Sequence, residues 1–370
     1  MTDDGRPAGP LRRGWTTGTC AAAAARAAAE ALATGRFPDP VAVTLPGGGR
    51  PAFALARHEI ADGAATAGIV KDAGDDPDVT HGALVLATVR HGVPGSGVTF
   101  RAGPGVGTVT KPGLPVPPGE PAINPVPRAM IRAAVAEVLG DAADVEVTVS
   151  IPGGERLAER TLNPRLGIVG GLSVLGTTGI VVPYSCAAWI HSIHRGIDVA
   201  RATGLDHVAG ATGSTSEAAV KALHALPEAA LIDMGDFAGG MLKYLRRHPV
   251  PRVTVAGGFA KMTKLGQGLL DLHSRRGEVD RDWLADRLRA AGGDPTLAEA
   301  ARHANTAAEV LGWAADRGLP VGDRVADAAW VTAARVLEGT GTALEVAVFD
   351  RDGRLVGRSP MRPVHGTPPR

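Results

Sequence analysis

Apolar positions follow two rhythms along the chain, and the change between them predicts two domains, 1–155 and 156–370. The first rhythm opens with Leu11 to Gly35. From Ala21 to Ala33 the run is almost pure alanine, with Arg26 and Glu30 four apart. Alanine gives up no side-chain freedom in a helix, so a helix is predicted here. The hydroxyl-rich turn Thr16, Thr17, Gly18, Thr19, Cys20 stands where an N-cap belongs, and Gly35 stands at the C-terminal stop. Next, PDPVAVTLPGGGRPAF predicts a hairpin around Pro46 to Arg50, and a further strand runs into the loop Lys71 to Gly82. ALVLATVRHG and VEVTVSIPGG predict strands, GVTFRAGPGVGTVTK a short pair, and Leu114 to Arg128 a Pro-rich irregular loop. AMIRAAVAEVLG places Ile131, Val135 and Val138 on one helix face. Several strands and two helices without regular alternation predict an α+β domain.

From about Thr161 strands and helices alternate. RLGIVGG, DHVAGATG, AALIDMGDF and PRVTVAGGF predict strands. SCAAWIHSIHRGIDVARATG, STSEAAVKALHALP, GMLKYLRRHP and a stretch near Met262 to His273 predict helices. Each strand runs into a glycine. This α/β pattern predicts a mostly parallel sheet with helical crossovers, whose ligands lie at the carboxyl ends of the strands. Glu278 to Gly339 is mostly helical in pattern. ALEVAVFDRDGRLVGRS predicts a terminal hairpin turning at Asp350 to Gly353, which either domain could claim.

Composition narrows the classes. With 39 Lys plus Arg against 38 Asp plus Glu, the net charge is +1, which argues against nucleic-acid or membrane-surface binding driven by bulk charge. Self-association is left open. Gly (50) and Pro (28) make up about a fifth of the chain, above the usual roughly 12%, while 44% of residues are apolar. The picture is a globular protein with glycine-lined turns. Two distant cysteines, Cys20 and Cys186, and no apolar run of about 18 residues point to a cytoplasmic protein. RPVHGTPPR at the end is expected to be a loose tail.

Four groups of residues have the makings of a site. Asp72, Asp75, Asp76 and Asp78 crowd one loop, where close carboxylates need a cation, a proton or solvent. They fit a general base or a metal site, or equally a turn whose carboxylates accept backbone N–H groups. The spacing does not match the EF-hand loop. In LGIVGGLSVLGTTGIV, Gly170, Gly171, Gly176, Thr177, Thr178 and Gly179 suit close approach to a nucleoside-type cofactor, or tight packing. The stretch is neither a G-x-G-x-x-G fingerprint nor a P-loop. Third come the strand ends. Thr212, Ser214 or Thr215 would cap the next helix, with Glu217 in its first turn. Asp233 could meet ribose hydroxyls, and Lys261 and Lys264 could meet carboxylates. Fourth, Arg128 and Arg165 follow Asn-Pro loops that would hold a guanidinium ready for a carboxylate. His191 and His194 suit ordinary helix positions better than a metal. Cys20 at a helix N-terminus would have a lowered pKa, but no base accompanies it.

LRRGWTTGTCAAAAARAA, KDAGDDPDVTHG, GEPAINPVPR, TLNPRLGIVGGLSVLGTTGIV, TGSTSE and GDF occur in this order. Together they resemble the CbiD family of cobalt-precorrin-5B C1-methyltransferases, over about Leu11 to Lys264, with Trp15 where the family more often has Tyr. The resemblance implies transfer of a methyl group from S-adenosylmethionine to C1 of a tetrapyrrole. Cobalt-precorrin-5B would become cobalt-precorrin-6A in cobalamin biosynthesis, with cobalt present only as part of the substrate. It also implies an N-terminal α+β domain and a C-terminal Rossmann-like domain. On this reading S-adenosylmethionine lies over Gly170 to Gly179 and near Asp233. Thr16, Thr17, Thr19, Arg128, Arg165 and Lys261 bind the tetrapyrrole and its carboxylates. Asp72, Asp75 or Asp76 handle a ring proton or orient a ring nitrogen. The alanine face of the first helix becomes the wall of the ring site. The alternatives are a nicotinamide-dependent oxidoreductase, a metal-dependent phosphate-handling enzyme and a corrinoid-binding carrier.

Overall fold

A computed structural model describes residues 9–364, so the last six residues of the expected tail lie outside the described part. The chain divides into two compact units, Met1–Ser185 and Cys186–Arg370.

The alanine run forms helix α1 (Thr17–Thr34), with Thr16 as N-cap and Gly35 in the left-handed conformation at its end. A five-stranded sheet contains β1 (Arg57–Ala61), β2 (Ala64–Val70), β3 (Leu84–His91), β4 (Val98–Ala102) and β5 (Val145–Ser150). The order is β1-β2-β3-β5-β4. All pairs are antiparallel except β5 with β4. Helix α2 (Pro125–Leu139) starts four residues earlier than its apolar face suggests, because proline is at home in a first helical turn. A short α3 (Gly154–Ala158) follows β5.

α1 packs against α2 and against β2 and β3. Ala21–Ala25 and Ala27–Ala29 are completely buried and share one core with Ala65, Ala67, Val85, Ala87 and Val89 of the sheet. Alanine here lets the helix close on its neighbours on nearly every side. A larger side chain at these positions would overpack the core at a cost of about 1–3 kcal/mol. The helix is therefore the centre of the first unit's core, and it has no bare face for a flat ring.

Two-residue pairings complete this unit. Gly14–Trp15 joins Ile180–Val181, Thr108–Val109 joins Ile168–Val169, and Gly105–Val106 joins Gly171–Leu172. Val41–Ala42 pairs with Ala52–Phe53 as the expected hairpin. These pairings tie residues 166–181 into the first unit. The division thus falls after Ser185 rather than after residue 155, and RLGIVGG is no strand of the second unit's sheet. The expected pair in GVTFRAGPGVGTVTK does not form either, since its strands find partners elsewhere.

The second unit runs α4 (Cys186–Ala202), β6 (His207–Ala211), α5 (Ser214–His224), β7 (Leu231–Asp233), α6 (Ala238–Arg247), β8 (Arg252–Gly258), α7 (Phe259–Gly266). Then come α8 (Arg281–Ala290), α9 (Pro295–Arg302), α10 (Ala307–Ala315), α11 (Val321–Val336), β9 (Ala343–Phe349) and β10 (Leu355–Pro363). The sheet order is β7-β6-β8-β9-β10, parallel except for β10. The terminal hairpin thus belongs to this unit. Val208, Val253, Val255, Val346 and Val348 point to one face, which α4, α6, α7 and α11 cover. Ala209, Ala256 and Ala347 point to the other, beneath Val220 of α5. Burial on both faces explains why these strands are continuously apolar. After β7 the chain returns to the far side of β6, so connections diverge between β6 and β8. Among the described residues no helix is long and apolar enough to cross a membrane.

Candidate functional site

The acidic loop knots the chain where it enters α1. The Arg12 guanidinium grips Asp72 with both nitrogens, one at 2.9 Å, and Gly74 N–H donates to the same carboxylate at 2.9 Å. These donors hold the Asp72 carboxyl down to about 2, so it stays ionised and is unsuited to carry a proton. Asp75 accepts from Arg12 N–H at 2.6 Å, and its own N–H returns to the Arg12 carbonyl at 3.0 Å. Trp15 N–H donates to the Asp72 carbonyl at 2.8 Å, and Asp76 accepts from Tyr184 N–H at 2.8 Å. The crossing is so close that a Cβ on Gly14 would lie 2.0 Å from the Ala73 backbone, and Gly74 turns away with φ +68°. Asp78 binds Lys71, which is 1% exposed, at 2.6 Å and accepts two bonds from Thr80. The carboxylates are spent on backbone and ion pairs. Asp72, Asp75 and Asp76 thus have the contacts that the turn reading describes, each accepting a backbone N–H bond.

The glycine–threonine stretch packs against the same entrance. Thr16 N–H donates to the Gly179 carbonyl and Gly18 N–H to the Leu175 carbonyl, both at 3.1 Å. Thr19 N–H is taken by Thr16 Oγ1, and Thr19 Oγ1 donates to the Gly179 carbonyl at 2.7 Å. Thr16, Thr17 and Thr19 are buried. The Thr16, Gly18 and Thr19 amides are thus satisfied inside the protein. Gly176, with φ +138°, leaves no room for a side chain, since a Cβ would lie 2.3 Å from Thr16 Oγ1. Gly171 meets the Gly105 backbone in the same way, and a Cβ on Gly179 would strike Leu45 and Thr19. These glycines serve close packing. Gly170, Thr177 and Thr178 are exposed, and Thr178 Oγ1 closes a local turn with Ile180.

Arg128 donates to the Ile123 carbonyl (2.8 Å), the Pro121 carbonyl (3.0 Å) and Glu120 (3.1 Å), with Phe100 under its guanidinium. It ties the Pro-rich loop to α2 instead of waiting for a carboxylate. Arg165 is half-buried and already has a partner. Lys261 pairs with Asp236, and both Lys261 and Lys264 donate to the Leu272 carbonyl at 3.2 Å. Burial, with Lys261 beside it, lowers the Lys264 pKa. These lysines hold the segment after α7 against Asp236, and the helix ends at Gly266, with Gly268 in the left-handed region (φ +98°), instead of running on to His273.

Cys20 has no exposure, and burial pushes its thiol up to about 12, overriding the helix end. His194 stacks on Tyr244 at 3.8 Å, with His191 6.2 Å away. Among the described residues no group of three or more His, Cys, Asp or Glu side chains is arranged to hold a metal ion. His207, Thr254, Glu345 and His224 form a largely buried network near the amino ends of β6, β8 and β9, which the exposed Arg358 joins through Glu345. It braces the sheet, and burial holds His207 down to about 4.

What is left open is the carboxyl edge of the second sheet. β6 ends in Thr212 and Gly213, and β8 in Gly257 and Gly258. Thr212 N–H joins them through the Ala256 carbonyl at 3.1 Å. Gly213 is the N-cap of α5 and Gly258 that of α7, and neither helix has a side-chain cap, so the expected threonine and serine caps do not form. A Cβ on either glycine would enter empty space within 4 Å. Two helix amino ends with free space before them therefore flank the point where the strand connections diverge. This is the usual ligand crevice of a parallel sheet. Asp233, at the end of β7, pairs with Ala211 one strand away. Gly213 and Gly258 escaped the sequence reading as site residues. The available signal was a glycine directly between each apolar run and the following helix.

The CbiD family model matches residues 4–183, and the model of the CbiD C-terminal domain matches residues 271–360. The family likeness thus extends past Lys264. The chain is 70% identical over 362 residues to the cobalt-precorrin-5B C(1)-methyltransferase of Bradyrhizobium sp. (strain BTAi1), covering 97% of this chain and 96% of that one. It is 63% identical over 369 residues to the enzyme of the same name from Agrobacterium fabrum (strain C58), covering 100% and 97%. A crystal structure of the cobalamin biosynthesis protein (cbiD) from Archaeoglobus fulgidus aligns with TM-score 0.38 and 28% identity, over 72% of this chain and 83% of that chain.

Proposed function

The chain belongs to the CbiD family, and from that membership we propose that it is a cobalt-precorrin-5B C1-methyltransferase of cobalamin biosynthesis. The observation that carries the assignment is 70% identity over nearly the whole of both chains.

We assign S-adenosylmethionine as methyl donor and the carboxyl edge of the second sheet as its site. The second unit then works as a Rossmann-like domain. Gly213 and Gly258 support the fit, because each leaves open the space that a side chain would fill. The amides opening α5 and α7 would hold the donor's carboxylate. Asp233, 20 residues after Gly213, stands where such folds place a carboxylate for ribose hydroxyls. When bound, the donor supplies an electrophilic methyl on a sulfonium. Its transfer to C1 would leave the S–CH3 electron pair on sulfur. The protein's share is to hold donor and ring carbon in line, and such positioning is worth up to ~7–11 kcal/mol. The acidic loop and the α1 entrance keep a structural role. The substrate is a cobalt-bearing tetrapyrrole, and the cytoplasm is the proposed compartment.

Mass spectrometry of the tetrapyrrole after incubation with enzyme and methyl-labelled S-adenosylmethionine tests the assignment. One labelled methyl at C1 is expected. A bound but unlabelled tetrapyrrole would make the protein a carrier.

A further inference from the structure

Trp189, in the first turn of α4, takes part in nothing described so far. Its side chain is 45% exposed, a large apolar surface left to solvent. Yet it is held firmly. Its Nε1–H donates to the Asp233 carbonyl at 3.1 Å, and the Phe237 ring lies 6.4 Å away, tilted by 50°. Gly235, with φ +50°, passes so near that a Cβ there would lie 3.2–3.5 Å from three indole atoms. The glycine thus keeps the indole seated beside the end of β7.

The location gives the indole a purpose. Asp233 pairs with Ala211 of β6, which in turn pairs with Ala256 of β8. Neighbouring strands lie about 4.8 Å apart, so the indole stands one strand out from the crevice, on the Asp233 side. A ligand with its carboxylate at the helix ends and its ribose at Asp233 directs its base outward past Asp233, toward Trp189. A fixed, solvent-facing indole is a good partner for a flat purine, which stacks on any aromatic face.

We propose that Trp189 is the stacking platform for the adenine ring of S-adenosylmethionine. This rests on the cofactor site proposed above. Calorimetric titration of the full-length protein with S-adenosylhomocysteine tests it. Trp189→Ala is expected to bind about tenfold more weakly, equivalent to ~1.4 kcal/mol, in a protein that still folds and melts cooperatively. Trp189→Phe should recover most of the affinity. The ligand should also quench the most red-shifted tryptophan emission, and Trp189→Ala should lack that quenching. If Asp233→Asn weakens binding but Trp189→Ala binds like the parent, the stacking assignment falls and the cofactor site stands. If Trp189→Ala loses only tetrapyrrole affinity, the indole serves the other substrate and the proposal is overturned. If Gly213→Val and Asp233→Asn both bind like the parent, the cofactor site is elsewhere and the stacking assignment falls with it.

Discussion

Replacing Asp78 by alanine separates a structural acidic loop from a chemical one. Lys71 is 1% exposed, and its ammonium meets Asp78 Oδ2 at 2.6 Å, while Asp78 Oδ1 accepts Thr80 N–H and Oγ1–H at 2.8 and 2.6 Å. Lys71 also continues the β2–β3 ladder through its backbone bonds with Gly82 and Ala83. Asp78→Ala leaves the buried ammonium without its counter-charge, a change that costs about 3–5 kcal/mol. Asp78 keeps a quarter of its side chain in solvent, which favours the lower end, about 3 kcal/mol. For a unit of this size each kcal/mol shifts melting by about 2–4 °C, so the first unit should melt about 6–12 °C lower. The double variant Lys71→Met with Asp78→Leu should regain part of that loss, because an apolar pair removes the stranded charge while Thr80 still lacks its acceptor. The acid limb gives a second readout. Burial pushes the Asp78 carboxyl up, but Lys71 and Thr80 outweigh it and hold it below its usual value. A carboxyl lowered on folding adds stability that is complete above its unfolded pKa and is lost as pH falls through its folded pKa. The gap between parent and Asp78→Ala should therefore be full at neutral pH and narrow below about pH 4. Calorimetric melting between pH 3 and 7, alongside methyl transfer, measures both. A variant that melts like the parent yet has lost methyl transfer would refute the structural reading.

Two other outcomes follow from the same geometry. Gly176→Val should lower the first unit's melting temperature, because its side chain must displace Thr16 from the α1 cap, and should leave S-adenosylhomocysteine affinity of the folded fraction unchanged. Thiol titration of the native protein should label Cys186 alone, since Cys20 is buried with its pKa raised to about 12, and denaturation should reveal the second thiol.

Much of the fold was legible in the chain because it is written locally. The alanine run and Gly35 define α1 and its end, although the helix starts at Thr17, inside the stretch expected as a turn, and the alternation after Ser185 defines the parallel sheet. The unit boundary was not legible. It depends on two-residue pairings such as Gly171–Leu172 with Gly105–Val106, between partners some 66 residues apart, which no local pattern announces. The site suffered from the same blindness. Thr16, Thr19, Arg128 and the aspartates have the residue types that bind anions and protons, and their spacing is equally consistent with binding one another across the fold. Only the tertiary structure reveals that Gly179, Glu120, Arg12, Tyr184 and Lys71 had already claimed them. Gly213 and Gly258 are the converse case. They are plain in the sequence, and the role proposed for them rests on the empty space that a Cβ at either would enter.

The most direct test of the cofactor site is the affinity for S-adenosylhomocysteine of Gly213→Val and Gly258→Val. Both positions have backbone angles open to valine and free space around a Cβ, so the variants should fold. The valine side chains would fill the space before α5 and α7, and each variant should bind at least tenfold more weakly than the parent. Parent-like affinity in both variants would contradict the account and move the cofactor away from the carboxyl edge of the second sheet.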